Sequence, residues 1–290
     1  MNNGFQEENI AFFISNEIRH FVKTSNDNFF NEINGCYFDE PIVQFASFNN
    51  PLFEKYKEII GQYHFTPKEI FEIKFPERDC KNGAVICIVL PINFKARISN
   101  RAEKKFGSRE WALTRYYGDE IFIEKLAEHI IEYLQSNGYE AIAPSSSDLI
   151  QRKMIGQDIS SNWSERHAAY AAGLGTFSIN DGFITEKGIA VKLVSILTDA
   201  NIPQSEQVYQ YYQQNCLWCS KKTCGACMKR CPVGAITAKG HNKIKCYMHC
   251  YGNESREIAK KYGGSAQYGS GCGLCQTGVP CEFRNPLKDN

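Results

Sequence analysis

Ten of the thirteen cysteines in this 290-residue chain fall between Cys216 and Cys281. Five of them crowd into sixteen positions of NCLWCSKKTCGACMKRCPVGAI, residues 215–236. From about residue 214 long apolar periods vanish while Cys, Gly and Lys rise. A segment of that texture cannot build a core from side chains alone, so an inorganic group is expected to hold it together. The N-terminus, MNNGFQEENIAFF, carries acids where a signal peptide has its basic region. The longest apolar run, AVICIVLPI at 84–92, is too short to span a bilayer. The expectation is therefore a soluble cytoplasmic protein with no membrane partner. In that reducing compartment clustered thiols are metal ligands rather than a disulfide framework.

The spacing narrows the metal. Cys224, Cys227 and Cys231 form C-x2-C-x3-C-P, the second half of the ferredoxin-type run C-x2-C-x2-C-x3-C-P, whose last cysteine leaves the loop for a second cluster. The full run wants its first cysteine at Lys221. Cys219, two residues upstream, reaches the iron through a slightly longer loop, and Cys216 only through a longer excursion; the pair is left for the structure to decide. Cys246, Cys250, Cys272, Cys275 and Cys281 make the second group. Two 4Fe–4S clusters need eight thiolates. Cys219, Cys224, Cys227, Cys231, Cys246, Cys272, Cys275 and Cys281 supply them, leaving Cys216 and Cys250 over. A zinc ribbon would want two C-x2-C pairs instead. Radical S-adenosylmethionine chemistry would want C-x3-C-x2-C, but Asn253 stands where its third cysteine belongs. Cys36, Cys80 and Cys87 are scattered and read as inert.

Residues 1–205 read differently. Residues 5–25 show an apolar face through Ile10, Phe13, Ile14, Ile18, Phe21 and Val22, a helix. Residues 50–61 and 119–138 read as further helices, the latter with Asp119 as its cap and Gly138 as its stop. WSERHAAYAAGLG is a short helix stopped by glycine. Residues 41–47, 84–92 and 188–199 read as strands, with AVICIVLPI buried on both faces, and 139–148 as a strand and a loop. Helices alternating with strands predict an α/β (α+β) layered domain over 1–205, followed by a small ferredoxin-like domain over 206–290. Its basic stretch has Lys221, Lys222, Lys229, Arg230, Lys239, Lys243 and Lys245 and no acid between Glu206 and Glu254. These cations either offset thiolate-ligated clusters or dock an acidic donor or a nucleic-acid backbone. Formal charge of +1 over the whole chain names no partner.

Glu165, Arg166, Ala172, Gly173, Leu174, Gly175, Asn180, Ile184, Gly188, Thr198 and Asp199, followed by CYMHC and GCGLCQ, make a pattern that resembles the epoxyqueuosine reductase family, related to the corrinoid reductive dehalogenases. The resemblance is specific over 163–281. It implies a cobalamin-binding domain of nitroreductase-like fold, a two-cluster domain, and an oxidoreductase that passes electrons through the clusters to cobalt. It also implies reduced ferredoxin or flavodoxin as donor and a small-molecule or modified-nucleoside tRNA substrate. By the same resemblance one cluster takes Cys219, Cys224, Cys227 and Cys281, and the other Cys231, Cys246, Cys272 and Cys275. Gly173, Gly175, Ser178 and Asn180 become candidate corrinoid contacts, though the two glycines equally suit a helix cap and turn. The family's proton-donating Asp, in D-x2-P-x2-E, falls here on Ile159, so Asp158, one residue away, is the candidate. Ser178 replaces a family glycine, and the last cysteine sits at C-x5-C rather than C-x3-C-P. The alternative is an electron-transfer protein that holds both clusters without a corrinoid.

Overall fold

The computed structural model describes residues 9–78, 80–155, 158–267 and 269–288. Along the N-terminal two-thirds the elements are α1 (Ile10–Thr24), a small hairpin of β1 (Phe29–Phe30) and β2 (Gly35–Cys36), β3 (Ile42–Ser47), α2 (Leu52–Ile59), α3 (Pro67–Lys74), β4 (Ala84–Pro91), α4 (Phe94–Ala102), α5 (Arg109–Leu113), α6 (Ile123–Ser136), β5 (Ala141–Ile142), β6 (Arg152–Ile155), β7 (Asp158–Ser161), α7 (Glu165–Ala171), β8 (Gly175–Phe177), β9 (Phe183–Thr185) and β10 (Val191–Thr198).

The central sheet runs β3-β4-β10-β5, every pairing antiparallel. All eight residues of β4 are buried, as an apolar, β-branched run on an inner strand requires. Side chains alternate across the pleat. Ala84, Ile86, Ile88 and Leu90 face a core shared with Ile10, Ile14, Ile18 and Val22 of α1 and Leu126, Ile130 and Leu134 of α6. Val85, Cys87 and Val89 face a second core with Phe53 and Tyr56 of α2, Ile70 and Phe71 of α3 and the alanines of α7. The result is three layers, helices on both faces of one antiparallel sheet, so the mixed class resolves as α+β.

Two local readings are corrected. The helix expected to start at Asp119 runs on from α5 through a π-helical segment, Thr114–Phe122, into α6. Asp119 lies inside that segment and pairs with Lys192 of β10 instead of capping. Phe13, placed on the buried face of α1, is 42% exposed. Residues 5–8 of that predicted helix lie outside the described residues. Gly138 does stop α6, at φ +90, its amide bonding Gln135 O at 2.9 Å.

After β10 the chain returns along the β3 edge, where Ser205 exchanges hydrogen bonds with Phe45 at 2.9 Å. It continues into α8 (Leu217–Lys221), α9 (Ala226–Arg230), the hairpin β11 (Ile236–Thr237) and β12 (Gly240–His241), α10 (Lys243–Tyr251) and α11 (Asn253–Tyr262). A third, small core joins the halves: Ile184 and Ile189 pack with Cys216 and Val279. Among the described residues no helix is long and apolar enough to cross a membrane.

Candidate redox site

The ten clustered cysteines sort into two neighbouring groups. In the first, Cys216 sits at the N-cap of α8, Cys227 in the first turn of α9, Cys224 in the loop between them, and Cys281 on the C-terminal loop. These four thiols line one pocket, walled by Ile184, Ile189, Trp218 and Val279. Cys219 is not among the lining residues. It packs against Cys216, and burial, then Cys216, push its thiol up to about 12. Burial likewise raises Cys227 to about 11 and lifts Cys281 well above the ordinary thiol range. Cys216 thus lines the pocket, while Cys219, one helical turn on in α8, packs in the same small core beside it.

The second group holds Cys231, Cys246, Cys250, Cys272 and Cys275. Cys231 Sγ accepts the Ala235 N–H at 3.1 Å. Cys246 and Cys250, one turn apart on α10, have their sulfurs 3.9 Å apart. Cys250 lies beside both Cys246 and Cys272, and its protonated thiol holds Cys246 down to about 5 and Cys272 to about 7. Cys275 is raised by burial and by the neighbouring Cys272, Cys246, Cys227 and Cys231, so it stands where the two groups meet.

Polar residues of the sheet half fix this loop. Asn100 of α4, fully buried, donates Nδ2 to Cys272 O at 3.2 Å and to Thr277 Oγ1 at 3.0 Å. Asn180 donates Nδ2 to Cys275 O at 3.1 Å. Arg230 binds Leu274 O at 2.9 Å and the carbonyls of Arg101 and Asn100 at 3.1 and 3.2 Å.

The donor sets fit cubane iron–sulfur clusters. They are all sulfur, one set lines a common pocket, and an amide N–H already points at the Cys231 sulfur. Among the described residues no three His, Cys, Asp or Glu converge on a point that would hold one ion. A cubane instead spreads its four thiolates over four irons.

The expected corrinoid contacts are occupied by the protein itself. Gly173 turns the chain at φ +75, and a Cβ there would lie 2.4 Å from Glu206 O. A Cβ on Gly175 would lie 2.4 Å from Ile184 O across the β8–β9 pair. Both glycines serve close backbone packing. Ser178 Oγ bonds Asn180 Oδ1, and both residues line the first thiol pocket. These four residues do not fit a corrinoid site. Asp158, the candidate proton donor, opens β7 and is ion-paired with Lys243 of α10 at 3.1 Å, one helical turn before Cys246. That pair links its hairpin to the second thiol group.

Glu165, His64, His167 and His241 are displaced from their ordinary titration range, and two of them, His64 and His241, escaped the sequence reading. Glu165, in the first turn of α7, accepts Ser145 Oγ at 2.5 Å, while its Oε2 is buried without a partner. Burial raises it to about 7, opposed by the Ser145 hydrogen bond and by the polar groups of Ser195 and Trp163 nearby. Near it, His64 is 1% exposed, stacked on Trp163, with neither ring nitrogen bonded; burial lowers it to about 4. His167 is lowered to about 3 by burial and by His64 and Arg166. His241 contacts Asp181 at 3.1 Å and lies beside Cys246. Burial opposes its charge, but Asp181 and Cys246 outweigh it and lift it to about 9. No periodicity marks a lone histidine such as His64 or His241, and only tertiary contact picks them out.

No protein-family model matches the sequence, and no curated protein matches it. Solved structures from two enzyme groups bear a partial likeness to the chain. An epoxyqueuosine reductase from Bacillus subtilis superposes with a TM-score of 0.49 at 18% identity, over 94% of this chain and 66% of that one. An epoxyqueuosine reductase bound to a modified tRNA-Tyr stem loop gives 0.48 at 18%, with the same coverage. A catabolic reductive dehalogenase gives 0.48 at 16%, over 71% of this chain and 26% of that one. The chain thus spans just under two-thirds of the reductase and about a quarter of the dehalogenase.

Proposed function

We propose that this protein is an iron–sulfur oxidoreductase that carries two 4Fe–4S clusters and relays single electrons to a reductive site in its sheet half. The observation that carries the reading is the sorting of ten thiols into two adjoining groups that meet at Cys275. Cys216, Cys224, Cys227 and Cys281 hold the first cluster in this reading, and Cys231, Cys246, Cys272 and Cys275 the second. The clusters supply one-electron chemistry when bound. The chain's own residues do the rest. The Ala235 N–H stabilises the Cys231 thiolate, and Asn100, Asn180 and Arg230 keep the Cys272–Cys275 loop seated against α4. The cations of 221–245 offset thiolate charge. Glu165, with one oxygen on Ser145 and the other facing inward, is poised to hold or release a proton near neutral pH.

The motif resemblance over 163–281 adds an epoxyqueuosine-reductase-like activity, with reduced ferredoxin or flavodoxin as donor and a modified nucleoside in tRNA as substrate. Cobalamin belongs to that proposal as well, but no step is derived through it, because Gly173, Gly175, Ser178 and Asn180 are engaged elsewhere. That same observation favours a second reading, in which the chain passes electrons to a partner without a corrinoid. Anaerobic reconstitution with iron, sulfide and cobalamin separates the two. About eight irons per chain are expected for both. Corrinoid retained through gel filtration in one-to-one ratio supports the enzyme, and its complete loss supports the electron carrier. Zinc without iron overturns both.

A further inference from the structure

Each thiol group holds five sulfurs, one more than a cubane binds, and the extra thiol of the second group is built into its site. Cys250 stands between Cys246, at 3.9 Å, and Cys272. Its backbone is pinned: Cys250 O accepts Ser255 Oγ at 2.6 Å, and Ser255, fully buried, holds the Ser270 N–H and hydroxyl at 3.0 Å. Ser270 lies two residues before Cys272, so this network fixes Cys250 relative to that ligand. Arg115, from the π-helical segment, lies over the ring of the adjacent Tyr251 at 4.9 Å. A leftover cysteine on a solvated helix face would have none of these features.

We propose that Cys250 is an alternative ligand of the second cluster, exchanging with Cys246 at one iron corner. This rests on the two-cluster reading. In the exchange the iron–sulfur bond to Cys246 breaks and that to Cys250 forms. The Cys250 proton moves to the released Cys246 sulfur across the short S···S contact, so no electron is gained or lost and the total charge is unchanged. One turn of α10 puts both sulfurs on the same side of the helix, so the backbone need not move.

The test compares Cys246→Ala, Cys250→Ala and the double variant, each reconstituted anaerobically, by iron and acid-labile sulfide per chain and by electron paramagnetic resonance of the reduced protein. Wild type at about eight irons verifies the underlying reading; a wild type without clusters defeats that reading itself. Exchange predicts that both single variants keep about eight irons and the double falls to about four, with the surviving first cluster reporting an intact fold. Loss of half the iron in Cys246→Ala alone makes Cys250 a bystander and overturns the proposal, as does a double variant that keeps eight. Anaerobic alkylation of wild-type holoprotein needs no variant: exchange labels Cys246 and Cys250 each in part, whereas label on Cys250 alone overturns it.

Discussion

Glu282 and Arg101 are joined by two parallel hydrogen bonds, Nε to Oε2 and Nη2 to Oε1, both at 2.8 Å. Glu282 is 1% exposed and also takes Arg97 Nη1 at 3.3 Å and the Gly278 N–H at 2.7 Å. The carboxylate follows Cys281 directly, so a bidentate pair clamps this thiol of the first group to α4 across more than 180 residues of sequence. Glu282→Ala leaves the largely buried Arg97 without its acid. Breaking a buried pair from one side costs about 3–5 kcal/mol, and the partial exposure of Arg101 brings the expectation toward about 3. Thermal unfolding should drop by roughly 5–10 °C, and the first group should retain less iron than the second. An unchanged melting temperature would mean the clamp contributes nothing.

The first thiol pocket predicts which member of a pair matters. Cys216→Ala should lower iron from about eight to about four per chain, whereas Cys219→Ala should keep both clusters. The reverse outcome would place the ligand at Cys219, in the first turn of α8, and require the pocket to rearrange on loading.

Much of the fold was legible because its strands advertise themselves. The run at 84–92 announces a strand buried on both sides, and β4 is one. Gly138 and Gly173 announce helix ends. What failed were readings that tertiary contact overrides. Asp119 has every local mark of a helix cap, but Lys192 of β10 claims it and the helix continues through it. Cys216 and Cys219 fall within one turn of α8, so residue count alone does not choose between them. The partners that position the site, Asn100 to Cys272 and Arg101 to Glu282, lie 172 and 181 residues apart, and no local pattern can join them.

Buried histidine predicts an acid limb. His64 has its folded value, about 4, below the unfolded 6.5, so the unfolded chain binds the proton more tightly. Its contribution is fully present above 6.5 and is lost as pH falls toward 4, on the order of 3 kcal/mol. His64→Phe should flatten stability across that window in denaturant titrations at stepped pH. A slope identical to wild type would show that His64 is charged without cost in the folded protein.

Glu165 has the opposite sign. Its folded value, about 7, lies above the unfolded 4.5, so the stability tied to its proton is present below 4.5 and lost as pH rises through about 7. Glu165→Gln keeps a neutral side chain at all pH and should gain on wild type as pH rises through that interval. A carboxyl infrared band that titrates near 7 in wild type and is absent from the variant would assign the proton directly. A band that titrates near 4.5 would show that the inward-facing oxygen is solvated.

Asn100 gives the last prediction. Its Nδ2 serves Cys272 O and Thr277 Oγ1, and its Oδ1 accepts the Ser108 N–H at 2.8 Å, so one buried amide ties α4, the start of α5 and the second cysteine loop. Asn100→Ala strands the Ser108 donor and the Cys272 carbonyl, each costing about 1–3 kcal/mol when left unsatisfied. Asn100→Asp keeps the acceptor but removes both donors to the loop. Both variants should release iron from the second group faster than wild type under a chelator, with the first group unaffected. The Asp variant should unfold at a lower temperature than the Ala variant, because it buries a carboxylate against the Cys272 carbonyl. Equal chelation rates at the two groups would mean that Asn100 supports the fold without holding the cysteine loop.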